Sequence, residues 1–348
     1  MTITIAHVNV ARGYRGGERQ TELLIRELQG AGLRQVLVAR RGGPLARRLH
    51  DARIDIRTVQ GNPLGVARAT RGVDLLHVHE GRSVYAAYLR WLLSRTPYVV
   101  TRRVNNPIGS SWLGHRAYER AACIAAVASQ VADVVRSYDP VARVRVIHSS
   151  SSGLKVDTGR VAAIRAAHAG KFLVGHVGAL DNSQKGQEFI IAVARAVERS
   201  NPDLHFMLVG GGDDEAMLRR AAAGLTNLAF IGFVDNVGDY LASFDLFVLP
   251  SNREGIGSIL FDAMEAGLPV VASRVGGVPD IVHDGENGTL IDAASPDQLR
   301  AAILLLQADP ELRKRFGTAG RELARGFTAA SMARKYLDLY REVLGRLE

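Results

Sequence analysis

Cysteine is nearly missing from this chain of 348 residues: there is one, Cys123, inside the apolar run 121–125. No disulfide forms within the chain, a reduced cytosol fits, and the thiol reads as a small buried hydrophobe. Long apolar runs are missing too, and none approaches the roughly 20 residues of a membrane-spanning helix. Residues 1–150 contain no lysine at all, few aromatics and no recognised nucleic-acid motif, which weighs against a duplex-binding protein. Low-complexity tracts and short tandem repeats are absent. The opening stretch 1–10 alternates apolar and polar residues and carries no basic leader, so it is expected to be a strand rather than a signal peptide.

What is present fits two globular domains: 47% hydrophobic and 23% charged residues over a length that buries substantial cores. The net charge of +9 is unevenly placed. Residues 1–150 hold 23 arginines against 10 acids, a balance of +13, whereas residues 151–348 carry −4. A cationic half calls for an anionic partner such as nucleic acid, anionic lipid head groups or a phosphorylated acceptor, unless it is simply a solvated surface.

Short apolar runs alternate with helical patterns, which predicts an α/β fold of parallel sheets in two doubly wound halves. Strands are expected near 3–10, 35–39, 54–59, 73–79, 97–102, 123–128 and 143–148, with helices near 17–30, 44–51, 82–94, 113–121 and 129–137. The stretch 149–170, a serine-rich turn followed by a basic, alanine-rich helix, reads as the passage between domains. The pattern then restarts, with strands near 172–178, 204–209, 228–231, 245–249, 269–273 and 288–291. Helices follow near 185–199, 213–223, 236–242, 258–266, 296–308, 310–325 and 328–347. The domains are expected at 1–155 and 156–327, with a ligand beyond the carboxyl ends of the strands.

The stretch 251–269 carries the most chemistry. A lone acid, Glu254, precedes a glycine-bracketed turn (Gly255, Ile256, Gly257, Ser258) and a helix opening at Ile259, closed by Gly267 and Pro269. Glycines let backbone approach a ligand, and the free amides of a helix start favour an anion. Glu254 would repel phosphate, so it suits hydroxyls or developing positive charge. Phosphate together with a polyol describes a nucleotide sugar.

Four further loops follow predicted strands. Residues 13–20 place Gly16 and Gly17 at the opening of the first helix, without the spacing of a dinucleotide fingerprint. His77 and His79 alternate at the end of a strand and share one face, and no third metal ligand lies nearby in sequence. Arg102 and Arg103 suit bidentate contact with phosphate or carboxylate, or else are surface charge. Gly210, Gly211 and Gly212 precede three acids that suit a first helical turn; a metal site there is the weaker reading.

The run from Glu254 to Asp262 resembles the signature of retaining glycosyltransferase family 4, the GT-B enzymes of two facing Rossmann-like domains. The second acid of that signature is here Asp262, one methylene short of the usual glutamate. The resemblance implies that Glu254 contacts the donor sugar. It gives Gly257, Ser258 and Ile259 the diphosphate and Asp262 the ribose, with Gly255 and Ile256 also in the donor site. Lys185 and Gly186 match the family's lysine–glycine pair, where the lysine neutralises the departing diphosphate, and a usual arginine is replaced by Ala179. Gly16 and Gly17 resemble the loop near the donor phosphate, with Arg15, Glu18, Arg102 and Arg103 on the acceptor side, and His79 takes the place of a histidine that reaches the sugar. Gly210 and Gly211 would line the nucleotide cleft. Phe233 and Val234 match the segment meeting the base, although Phe233 is otherwise a core residue. The late turns 275–282 and 284–288 also resemble the family, with Asp280 where glutamate is usual, and the final helix would cross back to the first domain.

The expected activity is therefore retaining, metal-independent and cofactor-free. It moves a sugar from a nucleoside diphosphate sugar to a glycan or lipid-linked, phosphorylated acceptor, as in lipopolysaccharide or cell-envelope polysaccharide synthesis. The expected location is cytoplasmic, peripheral to an anionic inner membrane face, which residues 88–95 and arginines 40, 41, 47 and 48 would touch. A sugar-nucleotide epimerase of the same architecture and a basic nucleic-acid-binding protein are the competing readings; no nucleic acid is expected.

Overall fold

The computed structural model describes residues 2–108 and 111–345 and divides into two compact units, 1–152 with 328–348, and 153–327. Unit 1 is a seven-stranded, wholly parallel sheet in the order β3-β2-β1-β4-β5-β6-β7. Its strands are β1 (Thr4–Asn9), β2 (Arg34–Arg40), β3 (Asp55–Val59), β4 (Leu75–Val78), β5 (Tyr98–Arg102), β6 (Cys123–Ala126) and β7 (Val144–Val146). Its helices are α1 (Gly16–Glu27), α2 (Pro44–Arg48), α3 (Pro63–Ala69), α4 (Val84–Ser94), α5 (Trp112–Glu119) and α6 (Ser129–Tyr138), and the C-terminal helix Ala329–Val343.

Parallel strands need cover on both faces, and the sequence supplies it by parity. Ala6, Val8, Leu76, Val78 and Val100 pack against Val66, Ala86, Ala87 and Ala117 of α3, α4 and α5. On the other face Ile5, Leu75, Val99 and Cys123 meet Leu24 and Leu28 of α1 and Tyr336, Leu339 and Tyr340 of the C-terminal helix. Each such buried aliphatic side chain contributes about 1.5–3 kcal/mol. Cys123 is buried in this layer, as a small hydrophobe would be.

Unit 2 repeats the plan with six parallel strands in the order β10-β9-β8-β11-β12-β13. The strands are β8 (Phe172–Val177), β9 (Leu204–Val209), β10 (Leu228–Gly232), β11 (Leu246–Leu249), β12 (Val270–Ser273) and β13 (Thr289–Ile291). The helices are α7 (Thr158–Ala167), α8 (Asn182–Lys185), α9 (Gln187–Val197), α10 (Glu215–Ala221), α11 (Val237–Ser243), α12 (Ile259–Glu265), α13 (Pro296–Ala308) and α14 (Pro310–Ala324).

The basic helix of the passage, α7, packs within unit 2: Arg165 forms a bidentate pair with Asp245 at 2.8 Å, and the amide of Asp157 donates to Asp239 at 2.6 Å. The expected single helix 185–199 is two, because Gly186 adopts φ +64 between α8 and α9. The short helix α3, started by Asn62 capping the Gly65 amide, is an addition. Of the last expected helix, residues 346 and 347 lie outside the described residues. No described helix is long and apolar enough to cross a membrane.

Candidate active site

In each sheet the chain order reverses once, between β1 and β4 and between β8 and β11. The loops leaving the carboxyl ends of two such neighbours diverge to opposite faces and leave a crevice. In unit 2 those loops carry Lys185 after β8 and Glu254 after β11, and the two side chains form an ion pair between Lys185 Nζ and Glu254 Oε1. Ser251 Oγ donates to the same oxygen at 2.8 Å. The second oxygen, Oε2, has no partner among the described residues. Glu254 is buried, with its side chain 7% exposed, while Lys185 is 22% exposed, so the ammonium is the group nearer solvent. It has three N–H donors, and the carboxylate accepts one.

The backbone explains how residues 69 positions apart meet. Asp181 caps α8 through the Gln184 amide. The carbonyl of Gln184, left over at the end of that helix, accepts the amides of Asn252 at 2.8 Å and Arg253 at 3.1 Å. A Cβ at Gly186 would stand 2.3 Å from the Pro250 carbonyl oxygen, so only glycine permits this approach. From the other side the Gly277 amide donates to the Gly255 carbonyl at 2.9 Å. Beyond Glu254, the amides of Gly255, Ile256, Gly257, Ser258 and Ile259 donate to no other described group, with Gly257 at φ +68 turning the chain into α12. Five unengaged amides beside a lysine form an anion-receptive strip. Asp262 is buried in α12, on the helix this strip opens.

Gly276 is the support that sequence reasoning did not single out. It adopts φ +57, and a Cβ there would lie 1.8 Å from the Glu254 carbonyl oxygen. Gly276→Ala is therefore expected to lower stability by about 2 kcal/mol and displace the Glu254 loop, with turnover falling as well. Gly285→Ala is the control: its φ is +76 but nothing lies within 4 Å of the added Cβ, so only stability should change. Thermal midpoints and turnover of the two variants check this.

Other unit 2 residues divide. Phe233 is 79% exposed after β10, which removes the core reading and leaves a free aromatic face, with Val234 partly buried beside it. Gly210 and Gly212 have a packing reason: Cβ atoms there would stand 1.9 Å from the Gly178 carbonyl oxygen and 2.4 Å from that of Leu180, with Gly211 between them. Asp214 accepts the Asn182 amide, and Glu215 pairs with Arg219 within α10. His176 and Gln187, missed in the sequence, lie beneath this loop. Gln187 donates to the Ala179 carbonyl at 2.8 Å, and His176 Nδ1 meets the Val248 carbonyl at 3.0 Å. Burial pushes the His176 pKa down to about 4. Arg253 is exposed and its side chain has no partner among the described residues.

At the reversal point of unit 1, His79 is buried, and its Nε2 lies 3.1 Å from Nδ1 of His7 on β1. His7 stands opposite His77 in the β1–β4 register, so three histidines share one face, their nearest ring nitrogens within 4.8 Å. The third histidine absent from the neighbouring sequence is thus present in space. Its geometry is that of a hydrogen-bonded stack: His77 meets Tyr340 Oη at 2.5 Å and Thr101 Oγ1 at 2.6 Å, and lies 3.8 Å from the His79 ring. With both its nitrogens engaged, His77 has none left for a cation. Burial holds all three pKa values down, His7 at about 4 and the others well below the usual range.

The arginines separate. Arg102 is buried and its guanidinium holds the Asn106 carbonyl and Tyr118 Oη, so it braces the loop after β5 rather than standing open to an acceptor. Arg103 lies against Gly17, its Nε shielded and unpartnered, and burial lowers its pKa. Its charge also opposes protonation of His77 and His79. Glu18 accepts the Arg15 amide at 3.0 Å, a helix-start role, while the amides of Gly16 and Gly17 stay unengaged.

Two doubly wound parallel sheets of this topology are the architecture of the GT-B fold. The family model for group 1 glycosyl transferases matches residues 161–323, and that for glycosyltransferase family 4 matches residues 14–150. Together they take in most of the chain, which belongs to the family 4 glycosyltransferases. It is 28% identical over 327 residues to the alpha-maltose-1-phosphate synthase of Mycolicibacterium smegmatis, covering 82% of this chain and 83% of that protein. It is 30% identical over 190 residues to the lipopolysaccharide core biosynthesis glycosyltransferase LpsE of Rhizobium meliloti, covering 52% and 54%. Among solved structures, Anabaena Alr3699/HepE in complex with UDP and glucose matches with a TM-score of 0.86 at 18% identity, over 98% of this chain and 100% of that one. The lipopolysaccharide outer core galactosyltransferase WaaB matches at 0.75 and 14%, over 99% and 100%.

Proposed function

We propose that this glycosyltransferase moves a sugar, with retention and without a metal, from a nucleoside diphosphate sugar to a hydroxyl of a glycan or lipid-linked acceptor in cell-envelope polysaccharide synthesis. The observation that carries the reading is the meeting of Lys185 and Glu254 beside five unengaged amides. Charge grows on the diphosphate as the bond from the anomeric carbon to phosphate oxygen breaks. The two remaining N–H donors of Lys185 and the amides of 255–259 are fixed cations and dipoles for that charge, which lowers the barrier without a metal ion. Glu254 Oε2 accepts from a sugar hydroxyl, while Ser251 and Lys185 hold Oε1. Asp262 is assigned the ribose and the exposed Phe233 the base. The acceptor oxygen attacks the face the phosphate leaves, and a phosphate oxygen takes its proton. His79, kept neutral, is assigned a contact to the sugar, not the part of general base.

The acceptor assignment draws on the cationic balance of residues 1–150 and on the lipopolysaccharide core glycosyltransferase among the relatives. UDP bound to the Anabaena protein supports a nucleoside diphosphate donor. A thermal-shift panel of UDP, GDP and ADP with their sugars tests the donor. One base should raise the midpoint selectively and resist added salt, and silence across the panel defeats the reading.

A further inference from the structure

Helix α1 ends in carbonyls that lack partners within the helix. That of Ile25 is one: the Gln29 amide, which a continuing helix would send to it, donates to the Arg26 carbonyl at 3.2 Å. Gln35, the second residue of β2, takes its place and donates from Nε2 to the Ile25 oxygen at 3.1 Å. A backbone carbonyl only accepts, so the amide nitrogen of Gln35 is committed to it and the amide oxygen, Oε1, is left over. Gln35 stands opposite Ile5 in the β1–β2 register, two residues from His7 on the same face. Oε1 of Gln35 and Nε2 of His7 are both buried, and neither has another partner among the described residues. Gln35 also raises the His7 pKa, as an oxygen accepting from the ring does.

The placement of protons follows along this row. His7 is fully buried and His79 is 2% exposed. Burial keeps both rings neutral, so each carries one N–H. With the His7 proton on Nε2, towards Gln35, its Nδ1 is a bare lone pair. The 3.1 Å contact between that nitrogen and Nε2 of His79 then takes its proton from His79. What remains on His79 is an unprotonated Nδ1, buried and without a partner among the described residues. An orphaned buried acceptor calls for a reason. Its place supplies one: Arg103, whose charge acts on His79, lies against Gly17 at the unengaged opening of α1. His77 has no such fixed order, because the Tyr340 and Thr101 hydroxyls on its two nitrogens can each donate or accept.

We propose that Gln35 and His7 are positioning residues that hold His79 in the Nε2–H tautomer, so that its Nδ1 accepts a hydrogen bond from a hydroxyl of the donor sugar. The order starts at the Ile25 carbonyl, which has only one role open to it, and passes through Gln35 and His7 to the sugar contact. Selectivity is the consequence. A group that can only accept, such as fluorine in place of that hydroxyl, sets lone pair against lone pair, and a site built to take a hydroxyl rejects the analogue lacking it. The inference rests on the nucleotide-sugar reading for the hydroxyl, not for the tautomer.

Proton–nitrogen correlation spectra of the full chain carrying isotope-labelled histidine, assigned through the signals lost in His7→Gln and His79→Gln, read the tautomers directly. Both rings should carry their proton on Nε2 at neutral pH. Gln35→Met keeps the length and removes the acceptor, and should turn that single pattern into a mixture in both rings. The second readout is calorimetric binding of the donor picked by the thermal-shift panel, against its monodeoxyfluoro analogues. Fluorine cannot donate, so the analogue altered at the hydroxyl facing His79 should bind about tenfold or more weakly, and Gln35→Met should shrink that penalty to about threefold or less. The penalty at the hydroxyl facing Glu254 should persist in the variant, whereas a merely structural loss would weaken every donor alike. A proton on Nδ1 of His79, or a pattern that Gln35→Met leaves unchanged, overturns the inference. So does a set of fluorine penalties that the variant does not alter. If Gln35→Met does not fold, the wild-type spectrum still decides the tautomer. The spectrum needs no donor, which keeps the outcomes apart: a silent nucleotide panel beside the expected tautomer defeats the donor reading and the sugar contact, not the proton order.

Discussion

Replacing Lys185 by alanine should lower turnover at least a hundredfold at saturating donor. One preorganised electrostatic contact to a developing anion contributes about 3 kcal/mol, and about 1.4 kcal/mol is a factor of ten in rate. Glu254→Ala should fall as far, for a different reason: the sugar loses the acceptor oxygen that orients it, and the ammonium loses its anchor. The two are coupled through their ion pair, so the double variant should be much less than ten-thousandfold impaired. Stability separates the roles. Removing the lysine leaves a buried carboxylate with only Ser251 to satisfy it, so Lys185→Ala should melt lower, whereas Glu254→Gln keeps the shape and removes the charge. Steady-state rates with the donor picked by the thermal-shift panel decide this. Turnover within tenfold of wild type in both single variants removes the assignment of the leaving-group site to unit 2.

Much of this was legible in the chain because the determining signals are local. The inner strands show as apolar runs buried on both faces, the edge strands β3, β7 and β10 only in part, and Glu254 stands beside glycines that serve backbone geometry. The parts that were not legible depend on what meets in space. Ser251 is an ordinary serine until its hydroxyl is found on Glu254, and Gly276 is one glycine of a turn until the Glu254 carbonyl is found against it. His7 lies 72 residues from its partner His79, so spacing along the chain could not reveal the stack. Phe233 was ambiguous because an aromatic after a strand reads equally as core or as surface. Arg102 and Arg103 are adjacent and alike, yet one ties down Asn106 and the other lies unpartnered on Gly17. Alternation along a strand sends neighbours to opposite faces, and sequence does not say which face has a vacancy.

The buried histidines make acid the second large lever. Burial is the main cause that holds His7 and His176 at about 4 instead of 6.5, only partly offset by the Gln35 and Val248 hydrogen bonds. His77 and His79 are held down by burial and by their cationic neighbours. The unfolded chain takes up protons below about 6.5 that the folded chain refuses until about 4. The stabilisation by neutral histidine is therefore complete above 6.5 and drains as pH falls through that window. At pH 5 the loss is about 2 kcal/mol for each of His7 and His176, against the usual order of magnitude of about 5–15 kcal/mol for the stability of a whole domain. Both tryptophans, Trp91 and Trp112, lie in unit 1, so their fluorescence follows that unit while circular dichroism follows both. Denaturant midpoints read by fluorescence should drop between pH 7 and pH 5, and His7→Gln should flatten that drop. His176→Gln should leave the fluorescence trace alone and change only the dichroism. A fluorescence midpoint that holds constant from pH 7 to pH 5 would mean that the folded stack takes up protons in the same window as the unfolded chain, and the burial argument for a neutral His79 would fail.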